Sequence, residues 1–259
     1  MRREMRPLKL RETLVESIAI YRQAFLQLFL MSALLMAVGR LVSEAVIDIM
    51  TNRGSVDLSA RIVGNLVSVP FTGLIPAFIA DHIQRVYTED APSMRDTYTA
   101  VLARAGGIIA VVIIASVPSA LISAATSLTS STGRAMLLPS FLVLVLAFIV
   151  FLALAFAIPV YVIESTTVLN AIKRSWQLTR GYRGRILGYY VVASLPTMIA
   201  AVILSALMRS ISASPSTTAI VTGLSAAAFT PFVHGVMTLL YFTVRIEKEP
   251  TDSDSSDDD

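Results

Sequence analysis

Basic side chains cluster around the only tryptophan of the chain. The cluster consists of Lys173, Arg174, Trp176, Arg180, Arg183 and Arg185. Lys and Arg beside an aromatic ring suit the anionic headgroups of membrane lipids, at about 1 kcal/mol per charge near the surface. Plain anchoring of a cytoplasmic loop, where Lys and Arg are enriched, explains the same residues. Both interpretations place this segment, residues 164–186, at a membrane surface, and we call it the elbow.

A histidine lies near the middle of the last apolar run. His234 comes three residues after Pro231. At that depth a histidine either relays protons or binds a polar group. It otherwise has a structural role, capping a carbonyl that proline has freed or bonding to a neighbouring helix. We favour the structural role.

Three charged residues share one face of the first apolar run. Arg40, Glu44 and Asp48 are four residues apart, so a helix places them on one side. Arg40 lies roughly 22 Å into the run at the helical rise, close to the outer interface. There an arginine extends towards water and pairs with a carboxylate, so we expect an Arg40–Glu44 ion pair.

Combinations of residues that support soluble-type catalysis are missing. The chain has no cysteine, and His82 and His234 fit no metal-ligand spacing. It contains no glycine loop that would hold a phosphate and no nucleophile elbow. We therefore expect a protein that is not an enzyme and that has no metal and no cofactor.

Composition identifies a membrane protein. Hydrophobic residues make up 55% of the chain and charged residues 15%, against about 25% charged residues in soluble proteins. The run 137–163 is nearly all apolar and long enough to span a bilayer. A pI near 9.3 suits nucleic-acid binding, but the basic residues flank the apolar runs, so we expect membrane lipids and no nucleic acid as partners.

The sequence predicts an all-α, polytopic fold with six spans of about 20 residues or more. The predicted spans are 25–49, 61–83, 105–128, 136–163, 185–208 and 218–243. Most Lys and Arg residues fall in four segments that lie on one side. Only Arg40, Arg53, Arg61, Arg134 and Arg209 fall elsewhere. The positive-inside rule then predicts that both termini are cytoplasmic, in a prokaryotic cell membrane. We also expect the N-terminal segment to be retained rather than cleaved.

Amphipathic helices are predicted before spans one, three and five. The first occupies residues 1–24, with Leu14, Ile18, Tyr21 and Phe25 on one face. The second follows a Ser93 cap, with Met94, Tyr98, Val101 and Leu102 on one side. The third covers 166–179, with Val168, Leu169, Ile172 and Trp176 on one face, and Gly181 suits its C-terminal turn.

Each amphipathic helix leads into a two-span hairpin, which suggests a threefold repeat. Any six-span protein with such helices has the same layout, so the repeat stays one of two alternatives. The domain organisation is then a segment 1–24, a membrane domain 25–246, and a tail 247–259. The tail is acidic and of low complexity, and we expect it to be disordered.

The segment 159–181, which includes most of the elbow, resembles a known family signature. Eight residues match it: Pro159, Glu164, Ala171, Arg174, Ser175, Leu178, Thr179 and Gly181. These residues resemble the signature of the membrane domain found in some glycerophosphodiester phosphodiesterases and in stand-alone prokaryotic proteins. The N-terminal segment LRETLVESIAIYRQAFLQLF resembles the opening helix of that domain. In the fused enzymes a separate soluble barrel does the catalysis. The resemblance therefore implies a membrane module, and we expect no phosphodiesterase activity.

Two functions remain open from the sequence. The first is a non-enzymatic membrane module that organises lipids or partner proteins at the cytoplasmic face. The alternative is a small transporter or channel in which proline-broken helices and His234 line the path. The spans carry few polar residues that would line a hydrophilic path, so we favour the first.

Overall fold

The computed structural model describes residues 7–52, 57–89, 93–132, 137–212 and 214–249. Within these ranges the regular structure is all helix, and no strand is present. The helices are α1 Leu10–Gln23, α2 Phe25–Asn52, α3 Asp57–Thr88, α4 Met94–Ala103, α5 Ala105–Thr132, α6 Leu137–Ala153, α7 Ala157–Ile163, α8 Val168–Thr179, α9 Arg183–Ser210 and α10 Pro215–Lys248. Six segments are long and apolar enough to cross a membrane, so the chain is a multi-pass, all-α membrane protein.

The predicted spans and amphipathic helices correspond to observed helices, with two differences. Span four is not one continuous helix, because α6 ends at Ala153 and α7 begins at Ala157. The last helix continues to Lys248, two residues beyond the predicted end of the membrane domain. Several predicted charges lie outside the described residues, namely Arg53, Arg134 and the acidic tail from Pro250 onwards.

The helices form three units, each a short helix followed by a two-span hairpin. The hairpins are α2 with α3, α5 with α6 and α7, and α9 with α10. Each short helix packs against the second span of the preceding unit: α4 on α3, and α8 on α7. Helix α1 packs on α10 and so closes the ring. The predicted threefold layout therefore extends to the tertiary packing.

The second span of each unit lies nearest the centre. Ile75 of α3, Val160 of α7 and Tyr241 of α10 are fully buried. The rings of Phe156 and Tyr241 meet edge to face with centroids 5.9 Å apart. The first spans lie further out, and α9 is the least buried of the six.

Two of the central spans share a short sequence pattern. In α3 it runs from Ile75-Pro76 to Asp81, and in α7 from Ile158-Pro159 to Glu164, with an aromatic residue two positions after each proline. Pro231 occupies the third central span, without the following acid. The shared positions support an internal repeat in the first two units, and the third unit departs from the pattern.

Candidate functional site: the elbow

Helix α8 forms the elbow together with the turn that follows it. Thr167 caps its start, because the Thr167 Oγ1 accepts a hydrogen bond from the Asn170 N–H at 3.4 Å. After Arg180 the backbone turns at Gly181, whose φ of 89° lies in the left-handed region. Glycine adopts that region without steric cost. The sequence-based prediction of a helix ending at this glycine is confirmed.

Helix α4 begins differently from its prediction. Ser93 occupies the N-cap position, but its side chain makes no capping hydrogen bond. The buried side of α4 carries Thr97 and Val101, whereas Leu102 is exposed. The predicted face is therefore divided between a protein-packed part and an exposed part.

Helix α8 has an inner face, an exposed apolar face and a polar face. The inner face packs against the bundle and carries Ala171, Ser175, Leu178 and Thr179. The predicted apolar face points away from the protein, with Leu169 68% and Trp176 45% exposed. Since these apolar side chains lack protein cover, they suit contact with lipid.

Side chains on the inner face of α8 form hydrogen bonds with the backbone at the interruption in span four. Ser175 Oγ donates to the Ala153 carbonyl at 2.8 Å and accepts from the Phe156 N–H at 3.2 Å. Thr179 Oγ1 also donates to the Ala153 carbonyl, at 3.4 Å. These bonds satisfy backbone groups that a continuous helix would have paired internally. Two residues of the family-like signature thus act as caps for a broken span.

Glu164 lies at the centre of an ion-pair network. Its carboxylate is 3.4 Å from Arg174 Nε and 3.8 Å from Arg245 Nε. Tyr241 also donates a hydrogen bond to it at 2.8 Å. The network joins the end of α7, the middle of α8 and the end of α10, so the signature acid and arginine connect three elements.

The last turn of α10 is fastened to the elbow. Glu247 accepts two hydrogen bonds from Arg185 at 2.8 Å. Glu249 accepts one from Arg174 at 2.5 Å. Lys248 Nζ donates to the carbonyls of Gln177 and Arg180, at 2.6 and 2.8 Å. The first three residues of the predicted disordered tail therefore belong to the folded part.

Arg174 and Arg185 are consequently engaged by the protein itself and are not free to contact lipid headgroups. Both were predicted to contact lipid headgroups, and both are paired with carboxylates of α10. Partial burial lowers the pKa of the Arg174 guanidinium, but the hydrogen bond and charge of Glu249 and the charge of Glu164 outweigh it and raise the pKa overall. Arg174 thus stays cationic as part of the fold.

The remaining cluster residues lie on the outside of the elbow. Lys173 and Arg180 are exposed, whereas Arg183 is half-buried. The Arg183 guanidinium stacks over the Trp176 ring with Cζ 4.9 Å from its centroid. Leu169 is exposed on the same helix. We call this set the outer patch: Leu169, Lys173, Trp176, Arg180 and Arg183. It combines apolar side chains with cationic groups, which is the chemistry of a lipid headgroup region.

His234 lies in α10 away from the elbow. It is half-buried, and its imidazole makes no hydrogen bond among the described residues. Near Pro231 it is Tyr21 of α1 that bonds to a backbone carbonyl, that of Ala228. The carbonyl that Pro231 leaves without its helical N–H partner is that of Ala227, so this bond does not replace the capping role predicted for His234. The sequence-based reasoning placed Tyr21 only on an apolar face.

The predicted ion pair of span one is present. Arg40 Nε lies 4.0 Å from Glu44 Oε1, and both side chains are largely exposed. A pair at this distance on an exposed surface contributes little to stability. It is a local feature of α2 and has no connection to the elbow.

Comparison with known proteins gives one result. The model of a family described as a domain of unknown function, DUF7847, matches residues 80–245. The chain belongs to this family. The matched region extends from the end of α3 to the end of α10 and contains the whole elbow. No curated protein and no solved structure matches the chain.

Proposed function

We propose that the protein is a non-enzymatic integral membrane module that organises anionic lipids at the cytoplasmic face of a prokaryotic cell membrane. The outer patch is the contact surface, and protein partners are a second class of ligand for the same face. The observation that carries the proposal is the division of the basic cluster. Two arginines are held by carboxylates, while Lys173, Arg180 and Arg183 remain on the outside beside Trp176.

The chemistry of the outer patch supports this function. An exposed tryptophan is typical of the bilayer interface, where its ring lies among the headgroups. The cation–π contact of Arg183 holds a guanidinium beside that ring. Guanidinium groups bind phosphate through paired N–H donors. Together these groups suit a phosphate-containing headgroup above acyl chains that contact Leu169.

The expected orientation of the chain in the membrane also supports the proposed function. Helices α1, α4 and α8 precede successive hairpins, and contacts between them and the ends of α3, α7 and α10 place them at one end of the bundle. Examples are Glu16 with Tyr87, and Arg104 with Val162 and Ser165. Most Lys and Arg residues of the sequence lie in these segments. The positive-inside rule assigns that end to the cytoplasm.

The resemblance to the phosphodiesterase membrane domain is compatible with this proposal. That domain is a membrane module beside a separate catalytic barrel, so the likeness implies a non-catalytic role. In the part of the chain that the structure describes, no group of His, Asp and Glu residues is arranged to hold a metal ion. We propose accordingly that the chain works by binding rather than by chemistry.

Transport has less support than lipid organisation. Pro70 and Pro76 in α3, Pro118 in α5, Pro196 in α9 and Pro231 in α10 all lie within continuous helices. The interruption in span four is filled by Ser175 and Thr179. Discontinuous helices of transporters instead leave their ends open to substrate.

Native mass spectrometry tests the proposal. The protein is extracted in mild detergent and titrated with phosphatidylglycerol or phosphatidylcholine. At roughly 1 kcal/mol per charge, changing Lys173, Arg180 and Arg183 together to Gln should weaken phosphatidylglycerol binding by roughly a hundredfold. Phosphatidylcholine binding should change little, because its headgroup carries no net charge.

The matched control changes Arg40 and Arg209 to Gln, two exposed basic residues away from the elbow. That variant should keep the phosphatidylglycerol affinity of the unaltered protein. Equal affinity of the triple variant and the unaltered protein would contradict the proposed function. A bound polar small molecule that depends on His234 would favour transport instead.

A further inference from the structure

Neighbouring units meet where a span of one packs beside a span of the next, and we call these three contacts seams. The seams differ in how tightly their helices pack. At the seam between α3 and α5, Gly73 lies directly against Val112, and a Cβ at Gly73 would collide with the Val112 side chain. The backbones of α3 and α5 therefore approach as closely as the side chains allow. Helices α10 and α2 also pack along the second seam. The third seam, between α6 and α9, has much less packing.

The α6–α9 seam has an aromatic contact near its elbow end. There Phe151 of α6 meets Tyr190 of α9 edge to face, with ring centroids 5.2 Å apart. One turn further along α6, Phe148 is 41% exposed, and Met198 of α9 is 60% exposed. The side of α6 that carries Ala147 is fully buried, so α6 is packed elsewhere. Beyond the Phe151–Tyr190 contact the α6–α9 seam is thus weakly packed and carries exposed apolar side chains, and we call this stretch of the seam the cleft.

The cleft lies within reach of the outer patch. Arg183 is the first residue of α9, and Tyr190 is seven residues further along, or roughly 10 Å at the helical rise. Phe148 lies about one more turn from the elbow end. Half of the hydrocarbon core is roughly 15 Å thick, so an acyl chain anchored at the outer patch reaches Phe148. The cationic patch and the apolar cleft therefore match the two parts of one lipid molecule.

We propose that the α6–α9 seam is a binding site for one anionic diacyl lipid of the elbow-side leaflet. Its headgroup lies on Lys173, Arg180 and Arg183, and an acyl chain enters the cleft between Phe148 and α9. The occupant is a lipid rather than a second copy of this chain because cations lie at the elbow end of the seam, and a phosphate headgroup complements them. This inference rests on the proposed function and adds a defined site to it.

Tryptophan fluorescence tests the site, because Trp176 is the only tryptophan of the chain. In a Trp176→Phe background, which keeps an aromatic ring beside the Arg183 guanidinium and leaves the three cations in place, Phe148→Trp places a reporter in the cleft. Leu34→Trp, on the 65% exposed position of α2, is the control at a similar distance from the elbow end. The probe is phosphatidylcholine vesicles that contain phosphatidylglycerol with dibrominated acyl chains, which quench a nearby indole.

The proposal expects saturable quenching of the Phe148→Trp reporter at a mole fraction of brominated phosphatidylglycerol at least fivefold lower than Leu34→Trp requires. Adding the Lys173, Arg180 and Arg183 changes to Gln should abolish this preference. Equal quenching of the two reporters would overturn the site. So would a Phe148→Trp reporter shielded from every brominated lipid, since a second copy or another protein would then cover the seam.

The unaltered protein separates the two proposals. If brominated phosphatidylglycerol quenches Trp176 selectively while the Phe148→Trp reporter shows no preference, the outer patch binds anionic lipid and the cleft does not. If Trp176 shows no preference for brominated phosphatidylglycerol over brominated phosphatidylcholine, the proposed function itself fails.

Discussion

The inner and outer sides of the elbow carry the same residue types with different consequences. Arg174 on the inner side is held between Glu164 and Glu249, whereas Arg180 on the outer side is exposed. Ser175 on the inner side bonds to a broken span, whereas Trp176, the next residue, points away from the protein. The comparison teaches that adjacent positions of one amphipathic helix divide into fold-forming and surface-binding groups.

Removal of the Ser175 hydroxyl should have the largest effect on stability. Ser175→Ala leaves the Ala153 carbonyl with only the longer Thr179 bond and the Phe156 N–H without a partner. At roughly 1–3 kcal/mol for each unsatisfied buried group, we expect a loss of about 2–4 kcal/mol. In detergent the thermal midpoint should fall by roughly 5–15 °C. Ser194→Ala is the control, because Ser194 bonds only within its own helix. Equal thermal midpoints for Ser175→Ala and Ser194→Ala would contradict a structural role for the inner face of α8.

Substitution of Arg174 should mainly lower stability, whereas substitution of Arg180 should mainly weaken lipid binding. Arg174→Gln deprives two carboxylates of a charged donor, and we expect a loss of roughly 1–3 kcal/mol. Arg180→Gln should change stability by less than about 0.5 kcal/mol and should weaken phosphatidylglycerol binding instead. Thermal unfolding and lipid titration on the same two variants measure both quantities. A stability loss from Arg180→Gln that matches the loss from Arg174→Gln would contradict the division.

The effect of Arg174 should not depend on pH near neutrality. The pKa of Arg174 is raised further above its ordinary value, which is already far above neutral pH. Its contribution to stability is therefore fully present below that ordinary value and is lost only as the pH rises through the still higher folded value. The difference between the unaltered protein and Arg174→Gln should therefore stay constant from about pH 7 to pH 9. A large decrease within that range would contradict a charge-based role.

Two glycines of the same turn should respond in opposite directions. Gly181 has a φ of 89°, whereas Gly184 lies in the first turn of α9, and a Cβ at either position has open space. Alanine at Gly181 is strained by about 1 kcal/mol, while alanine at Gly184 should stabilise the helix by several tenths of a kcal/mol. Thermal midpoints of Gly181→Ala and Gly184→Ala check the signs. The same sign for both would mean that the turn conformation does not constrain the elbow.

Much of the fold follows from patterns along the chain. The six apolar runs specify the spans because the backbone in hydrocarbon must satisfy its own hydrogen bonds. Gly181 specifies the end of α8 through its left-handed backbone. Apolar periodicity was less informative about packing, since Leu169 and Trp176 form a regular apolar face that the protein leaves exposed. In a membrane protein an apolar face contacts either lipid or protein, and periodicity alone does not distinguish the two.

The candidate site depended more on contacts between distant residues. The basic cluster was visible in the sequence, but its division was not, because Glu249 is 75 positions from Arg174 and Glu247 is 62 positions from Arg185. Ser175 gave no signal beyond its place in a family-like signature. Its importance arises from an interruption in span four that lies within a continuous apolar run.

The sequence by itself determined the membrane class, the six spans, the three short helices that precede the hairpins and the turn at Gly181. These features depend on local hydrophobicity and backbone preference, which act over neighbouring residues. Only the tertiary structure decided which cations are paired, where span four breaks and which seam stays open. Those features depend on the distances between side chains from different helices, and such distances are set when the three units pack together.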